Sequence, residues 1–429
     1  MSLPAADLSK QPDNRTTMEL GAVLPLTAEV KDDHLYVGGV DMVELAREQG
    51  TALYVMDEAD MRTRMETYLA AFRSRYQNSD VVYASKAFLN KEAARIVADE
   101  GLCLDVSGGG ELAIALAAGF PTERIFMHGN NKTPRELREA IQAGVGRIII
   151  DSRIELKRIS EIAGELGVVQ PIYMRITPGV EADTHQYIRT GCEDSKFGFT
   201  MRDDFAYGCV KDVLAAPNVR LAGLHCHIGS QIFALHSYPE AVEVMVELMA
   251  RIEEGYGYRI EELDVGGGLG IAYTADDKPA SIDEFAETVT SAVHAACEKF
   301  GVPEPRLLTE PGRSLVATAG VTLYTVGILK TLPGIRKYVG GWTAACPTTS
   351  ARRCTTPITS RSSRTRRVSR APRSSPSRAS TAKAATPWSS TCRCSTPTWA
   401  TSSPSSARAR TATLWPATTT ASRGRPSCS

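Results

Sequence analysis

Eight times between residues 81 and 310 the chain repeats one phrase: a short apolar run, a polar or glycine-rich end, then a helical stretch. The runs fall at 81–85, 102–106, 124–127, 147–150, 172–176, 221–226, 263–265 and 306–309. Strands alternating with helices argue for a parallel sheet, and eight such units argue for a closed (β/α)8 barrel. Helix starts are marked by three capping-box patterns, Thr133 with Glu136, Ser152 with Glu155 and Ser281 with Glu284. At or just past the strand ends stand Lys86, Asp105, His128, Asp151, Arg175, His227, the glycines Gly266, Gly267 and Gly268, and Glu310. That rim is where barrels keep their chemistry.

The barrel is expected to occupy 51–316, after a polar N-terminus at 1–17 that is expected to be disordered. Residues 18–50 are read as a segment of a separate β-rich domain, with a small β element at 33–42. Residues 52–56 read as an extra strand ahead of the barrel, and 317–339 as the return of the chain to the β-rich domain. The stretch 179–199, between the fifth and sixth strands, is long enough for an active-site loop.

Composition changes abruptly after Val339. The first 339 residues hold all 49 acidic groups against 34 basic ones, whereas 340–429 holds 14 Arg, one Lys and no acid. The formal net charge of zero therefore sums two unlike segments. Rich in Ser, Thr, Pro and Arg and lacking apolar periodicity, 340–429 cannot offset the entropy of ordering and is expected to be disordered. An Arg-rich, acid-free segment suits a phosphate backbone. This one also carries five Cys and only scattered Trp, so no nucleic-acid partner is expected. No apolar run is long enough to span a membrane, and the polar first 15 residues lack a signal-peptide pattern, so the expected location is cytoplasmic. Cys103, Cys192, Cys209, Cys226 and Cys297 are scattered without a C-x-x-C pair and read as reduced small hydrophobes.

Four segments carry candidate chemistry. Lys86 leaves an apolar strand into the barrel mouth, where desolvation would lower its pKa and suit it to Schiff-base chemistry; alone it is as readily a solvated strand end. The run 263–270, LDVGGGLG, offers bare N–H groups that can wrap a phosphate ahead of an expected helical stretch, although glycine clusters also make plain turns. In 225–231, HCHIGSQ, His225 and His227 share a strand face by period two. A metal pair is conceivable there, but no third ligand has suitable spacing, and a ring stacking on a cofactor with Ser230 near its phosphate fits better. The segment EPGR at 310–313 supplies Glu310, a rigid turn through Pro311 and Gly312, and the guanidinium of Arg313. It is either a structural salt bridge or an acid for a pyridine nitrogen beside an arginine for a carboxylate or phosphate.

Together YASKAF (83–88), DVSGGGE (105–111), DSKFG (194–198), HCHIGSQ, DVGGGLG and EPGR resemble the barrel domain of the fold-type III pyridoxal-phosphate decarboxylases, in particular the diaminopimelate branch, over roughly 35–339. The resemblance implies pyridoxal 5'-phosphate as cofactor, an amino-acid substrate and a homodimer. It implies Lys86 as the covalent anchor and His227 stacked on the cofactor ring. Asp105 would join the cofactor site, and Ser230 and the glycines Gly266, Gly267, Gly268 and Gly312 would lie near the phosphate beside Pro311. Glu310 would hold the pyridine nitrogen and Arg313 the substrate. The implied reaction is decarboxylation of meso-2,6-diaminopimelate to L-lysine. Ornithine and arginine decarboxylases of the same fold, and a cofactor-binding barrel without turnover, are the alternatives.

The family's second domain should follow Val339 with a catalytic cysteine, and a shifted reading frame offers it. Joining the last base of each codon to the first two of the next makes Trp342, Trp399 and Trp415 yield Asp, Gly and Ala of necessity. Codons 341–357 then permit V-D-G-G-M-S-D-N-I-R-P-A-L-Y-D-A, and codons 379–386 permit K-H-C-E-S-G-D, a cysteine motif of the diaminopimelate branch. We therefore read 340–429 as frame-shifted.

Overall fold

The computed structural model describes residues 23–180, 196–274, 276–325, 327–332, 336–340 and 413–414. The chain opens with an antiparallel sheet of β1 (Glu29–Lys31), β2 (His34–Val37) and β3 (Val40–Asp41). Asp32 and Asp33 make the β1–β2 turn with positive φ, a backbone that suits a tight hairpin. Helix α1 (Met42–Gln49) starts at Asp41, whose carboxylate accepts from the Val43 and Glu44 N–H groups. Val37, Met42, Leu45 and Val55 form a small core under this unit. Val55 belongs to β4 (Leu53–Met56), which pairs antiparallel with a later strand and precedes α2 (Glu58–Arg73).

Eight parallel strands then close into a barrel. They are β5 (Ser79–Ala84), β6 (Cys103–Val106), β7 (Ile125–Met127), β8 (Arg147–Ile150), β9 (Gln170–Thr177), β11 (Val219–Cys226), β12 (Glu262–Asp264) and β13 (Arg306–Thr309); the short β10 (Phe199–Thr200) adds to β9. Pairing of β13 with β5 closes the ring. The connecting helices are α3 (Lys91–Asp99), α4 (Gly109–Ala118), α5 (Pro134–Ala143), α6 (Arg153–Leu166), α7 (Phe205–Ala215), α8 (Ser237–Tyr256) and α9 (Ile282–Phe300). Capping boxes start α5 and α9 as expected. At α6 only half the box forms: Ser152 accepts from the Glu155 N–H, but the Glu155 carboxylate turns to the Asp151 N–H and the buried Lys132 ammonium at 2.9 Å. A buried cation outbids a cap.

The barrel interior is layered by the two-residue period of its strands. Val82, Cys103, Phe126, Ile149, Tyr173, Ala222 and Leu308, one from each of seven strands, make the apolar middle layer. At the N-terminal end of the strands, Arg147 forks onto Glu262 at 2.7 and 2.8 Å, Arg306 bridges Asp80 and Glu262, and the Tyr173 hydroxyl donates to Glu262. At the C-terminal end, the same period turns Asp105, His128, Asp151, Arg175, Asp264 and Glu310 toward the mouth. His225 joins them because of a register slip between Leu221 and Gly223, after which the inward phase of β11 moves from Ala222 to Gly223 and His225.

After β13 come the short α10 (Arg313–Val316) and β14 (Gly320–Leu323), the partner of β4, then a hairpin of β15 (Ile328–Leu332) and β16 (Arg336–Gly340). The expectation of disorder at 340–429 falls outside the described residues, apart from Gly340 and the pair Thr413 and Leu414, which lies antiparallel on the other edge of β4. The expectation for 1–17 also lies outside them, as does most of the 179–199 loop.

Candidate active site

Lys86 reaches the mouth because β5 ends at Ala84 and a 3-10 turn over Ser85–Ala87 lifts it over the rim. Its side chain is 55% exposed, and Nζ lies 3.1 Å from Oδ2 of the fully buried Asp105. The sequence-based expectation of a lowered pKa is corrected here. The Asp105 charge is the largest influence, it outweighs desolvation, and the Lys86 ammonium is raised above its ordinary value.

Below it sits Glu310, buried between two imidazoles. Its Oε1 is 2.7 Å from His128 Nε2 and its Oε2 is 3.2 Å from His225 Nε2, with the two rings edge to face at 5.0 Å. Burial alone raises the Glu310 carboxyl, but the imidazoles outweigh it and hold it well below the usual range. The neighbouring Asp264 is driven well above its usual range, by burial first and then by the Glu310 charge. Burial pushes His225 down to about 4, which makes it a neutral ring at pH 7. His128, His225 and Glu310 are metal-ligand types brought together. Yet 2.7 Å is the contact distance of an imidazole–carboxylate pair, short of the ~3.4 Å that separates two ligands on a tetrahedral ion with ~2.1 Å bonds. The array as it stands pairs its own members.

The sequence placed His225 and His227 on one strand face. The structure separates their roles: β11 ends at Cys226, His225 faces Glu310, and His227 lines the cavity beside Lys86. Burial, then the Lys86 and Arg175 charges, hold His227 well below the usual imidazole range and so neutral.

The cavity holds about 560 Å³ and is lined by Lys86, His227, Ser230, Gly268, Leu269, Glu310, Gly312 and Arg313, with β4 and β14 at one side. Arg313 Nη2 donates to Ser230 Oγ at 3.1 Å, its Nη1 donates to the Tyr273 hydroxyl, and its buried Nε has no partner among the described residues. The Pro311 carbonyl takes the Ala84 N–H at 3.0 Å, which fastens the EPGR turn to the base of the Lys86 turn. A Cβ on Gly267 would stand 2.0 Å from the Glu310 carbonyl oxygen, and Gly268 has φ +120 with a Cβ position 2.5 Å from the Gly229 carbonyl oxygen. Only glycine fits at either place. No helix follows this turn among the described residues: 265–274 and 276–281 are irregular, and α9 starts only at Ile282. The turn therefore offers an anion its own N–H groups rather than a helix N-terminus.

All the sequence-predicted site residues converge on this cavity or the layer beneath it. Four further residues went without an assigned role: His128, Asp264, Arg175 and Tyr273. Charged or imidazole groups at the ends of apolar strands were the signal for His128, Asp264 and Arg175, whereas Tyr273, outside the strands, had none. Arg175, stacked 4.3 Å over the Phe197 ring, acts electrostatically on both Lys86 and His227.

The residues fit pyridoxal phosphate. An amine and a buried carboxylate held low share one cavity, a neutral imidazole lies beside them, a glycine turn and the Ser230 hydroxyl suit a phosphate, and the Arg313 guanidinium is left for a second anionic group. A closed barrel with that site at its C-terminal rim defines a pyridoxal-phosphate enzyme barrel. Residues 59–317 match the family described as "pyridoxal-dependent decarboxylase, pyridoxal binding domain", and the chain belongs to that family.

Among its relatives is the diaminopimelate decarboxylase of Bacillus subtilis (strain 168), 44% identical over 306 residues that cover 71% of this chain and 70% of that protein. The diaminopimelate decarboxylase of Mycobacterium tuberculosis (strain ATCC 25618 / H37Rv) is 43% identical over 323 residues, covering 74% and 69%. The crystal structure of diaminopimelate decarboxylase from M. jannaschii in complex with L-lysine superposes with a TM-score of 0.68 at 36% identity, covering 73% of this chain and 72% of that one.

Proposed function

We infer that this chain is a carboxy-lyase of the diaminopimelate branch, whose reaction is the pyridoxal-phosphate-dependent decarboxylation of meso-2,6-diaminopimelate to L-lysine and CO2. The observation that carries this reading is the stack of Lys86 with Asp105 above Glu310, clamped by His128 and His225, in one cavity with the glycine turn. Lys86 would anchor the cofactor, Glu310 would meet its ring nitrogen and His227 would lie against its ring. The glycines Gly266, Gly267, Gly268 and Gly312, with Ser230, would hold its phosphate. When bound, pyridoxal phosphate supplies an electron sink for the carbanion left by departing CO2.

The chain's own groups do the remaining work. Glu310 is held toward its charged form at the base of the cavity because two imidazoles face it. Lys86 carries a proton at Nζ, with Asp105 fixing its direction. Arg313, open to the cavity and oriented by Ser230 and Tyr273, is placed for a substrate carboxylate. The same resemblance supports a homodimer working in the cytoplasm.

The acid-free composition of 340–429 supports a second reading of turnover, in which this chain takes up the cofactor but releases CO2 slowly because the cysteine motif lies in the shifted frame. CO2 release from meso-diaminopimelate and from ornithine tests both. The chain read in the shifted frame after Val339 should act on meso-diaminopimelate in preference, and the chain as given should lag far behind it. A preference for ornithine would overturn the branch, and equal rates would overturn the slow reading.

A further inference from the structure

The turn at 266–269 points its N–H groups one way because its carbonyls are held the other way. The Gly266 carbonyl accepts from the Glu310 N–H at 2.8 Å and from Thr309 Oγ1 at 2.9 Å. The Gly267 carbonyl accepts from the Tyr238 hydroxyl at 3.1 Å, and the Gly268 carbonyl from the Ile232 N–H at 2.9 Å. In a trans peptide the C=O and the following N–H point in opposite directions. Anchoring three carbonyls in the wall therefore turns the N–H groups of Gly267, Gly268 and Leu269 away from it. Gly268 and Leu269 line the cavity, and neither N–H has an acceptor among the described residues.

Two side chains outside the cavity lining fix this arrangement. Tyr238, buried on α8 with its ring edge-on to Phe285 at 4.9 Å, gives its hydroxyl to the middle peptide. Gln231 acts at the turn's far end, where its side-chain amide pairs with the Ile271 backbone in both directions: Nε2 donates to the carbonyl at 2.6 Å and Oε1 accepts from the N–H at 3.2 Å. Between them Ile232 bonds Gly268 and Gly270, so the strand-six loop and the glycine turn are zipped together. Gln231 sits at φ +59, in the left-handed region that a non-glycine residue avoids unless its surroundings require it.

We propose that Tyr238 and Gln231 are positioning residues for the phosphate of the cofactor: neither lines the cavity, Tyr238 holds the Gly267 carbonyl directly, and Gln231 ties Ile271 to the loop whose Ile232 N–H holds the Gly268 carbonyl. This rests on assigning pyridoxal phosphate to this cavity. The specific consequence is that they act on the phosphate end alone.

The test compares Tyr238→Phe and Gln231→Met with the parent chain, titrating each with pyridoxal 5'-phosphate and with pyridoxal, which lacks the phosphate, and following the absorbance of the lysine adduct. Each variant should bind pyridoxal phosphate roughly tenfold more weakly, Tyr238→Phe by losing its bond to the buried Gly267 carbonyl and Gln231→Met by losing both of its bonds to the Ile271 backbone. Pyridoxal affinity should stay within about twofold of the parent, because the peptide orientation matters only to the anion. Equal weakening toward both ligands, or no weakening toward either, overturns the proposal. Should Tyr238→Phe fail to fold, Gln231→Met, which alters a loop side chain, decides the matter. A parent chain that captures neither ligand overturns the cofactor assignment itself, an outcome distinct from failure of the cradle.

Discussion

Asp105 Oδ2 lies 3.1 Å from Lys86 Nζ, so the amine that would anchor the cofactor is paired with a carboxylate that has no exposure of its own. That pairing raises the Lys86 pKa above the ordinary 10.5. Only the neutral amine attacks an aldehyde, so capture of pyridoxal phosphate should accelerate as pH rises into the alkaline range. Asp105→Asn removes the largest cause of the shift and should move the profile toward lower pH, making capture at pH 8 faster than in the parent. Stopped-flow absorbance measures this, and an unchanged profile would contradict it.

His225 supplies a second pH dependence. Burial lowers its pKa from 6.5 to about 4, so between those values the unfolded chain binds the extra proton and the folded chain does not. Stability should therefore be full above pH 6.5 and fall as pH drops toward 4, by about 3 kcal/mol from this group alone. Glu310, held low in the folded state, adds a loss in the same direction at lower pH. His225→Gln keeps a donor for Glu310 but cannot titrate. Urea unfolding across this range should show its slope reduced by about one proton, roughly 1.4 kcal/mol per pH unit; an unreduced slope would count against a neutral buried His225.

The two ends of the barrel should respond differently to loss of an acid. Glu262 serves Arg147, Arg306 and Tyr173 at the end away from the cavity. Glu262→Ala leaves two half-buried guanidinium groups without it and should cost about 3 kcal/mol of stability. The folded fraction should bind pyridoxal phosphate as tightly as the parent. Glu310→Gln should do the reverse, weakening cofactor binding with a smaller change in the urea midpoint. Matched effects of the two variants would mean the layers are not separable.

The strand ends were legible because apolar runs closed by polar residues repeat eight times, and period-two alternation then supplies the rim. What alternation could not supply was the phase of β11. The one-residue slip at Leu221 leaves no mark in composition, yet it decides that His225 meets Glu310. The Lys86 pKa was misjudged because the sequence shows the apolar strand but not the cross-strand register of Ala84 with Asp105, which places an acid under the amine. The missing helix after Gly270 has a local cause. The Ile271 backbone is engaged by the Gln231 side chain and the Gly270 N–H by Ile232, and that pairing competes with a helical turn.

Composition alone predicts the protease sensitivity of 340–429. Trypsin should cut rapidly at Arg352, Arg366 and Arg393 while the barrel persists, followed on a gel and by mass spectrometry. A protected fragment spanning Arg361 and Arg410 would overturn the reading of that segment.

Lys86 is the amine expected to take pyridoxal phosphate. Adding the cofactor to the full chain, reducing with borohydride and mapping the tryptic peptides tests it without requiring turnover. A pyridoxyl label should appear on the peptide carrying Lys86 and be lost in Lys86→Met. A label on Lys91 or Lys132 instead, or one that survives the substitution, would contradict it.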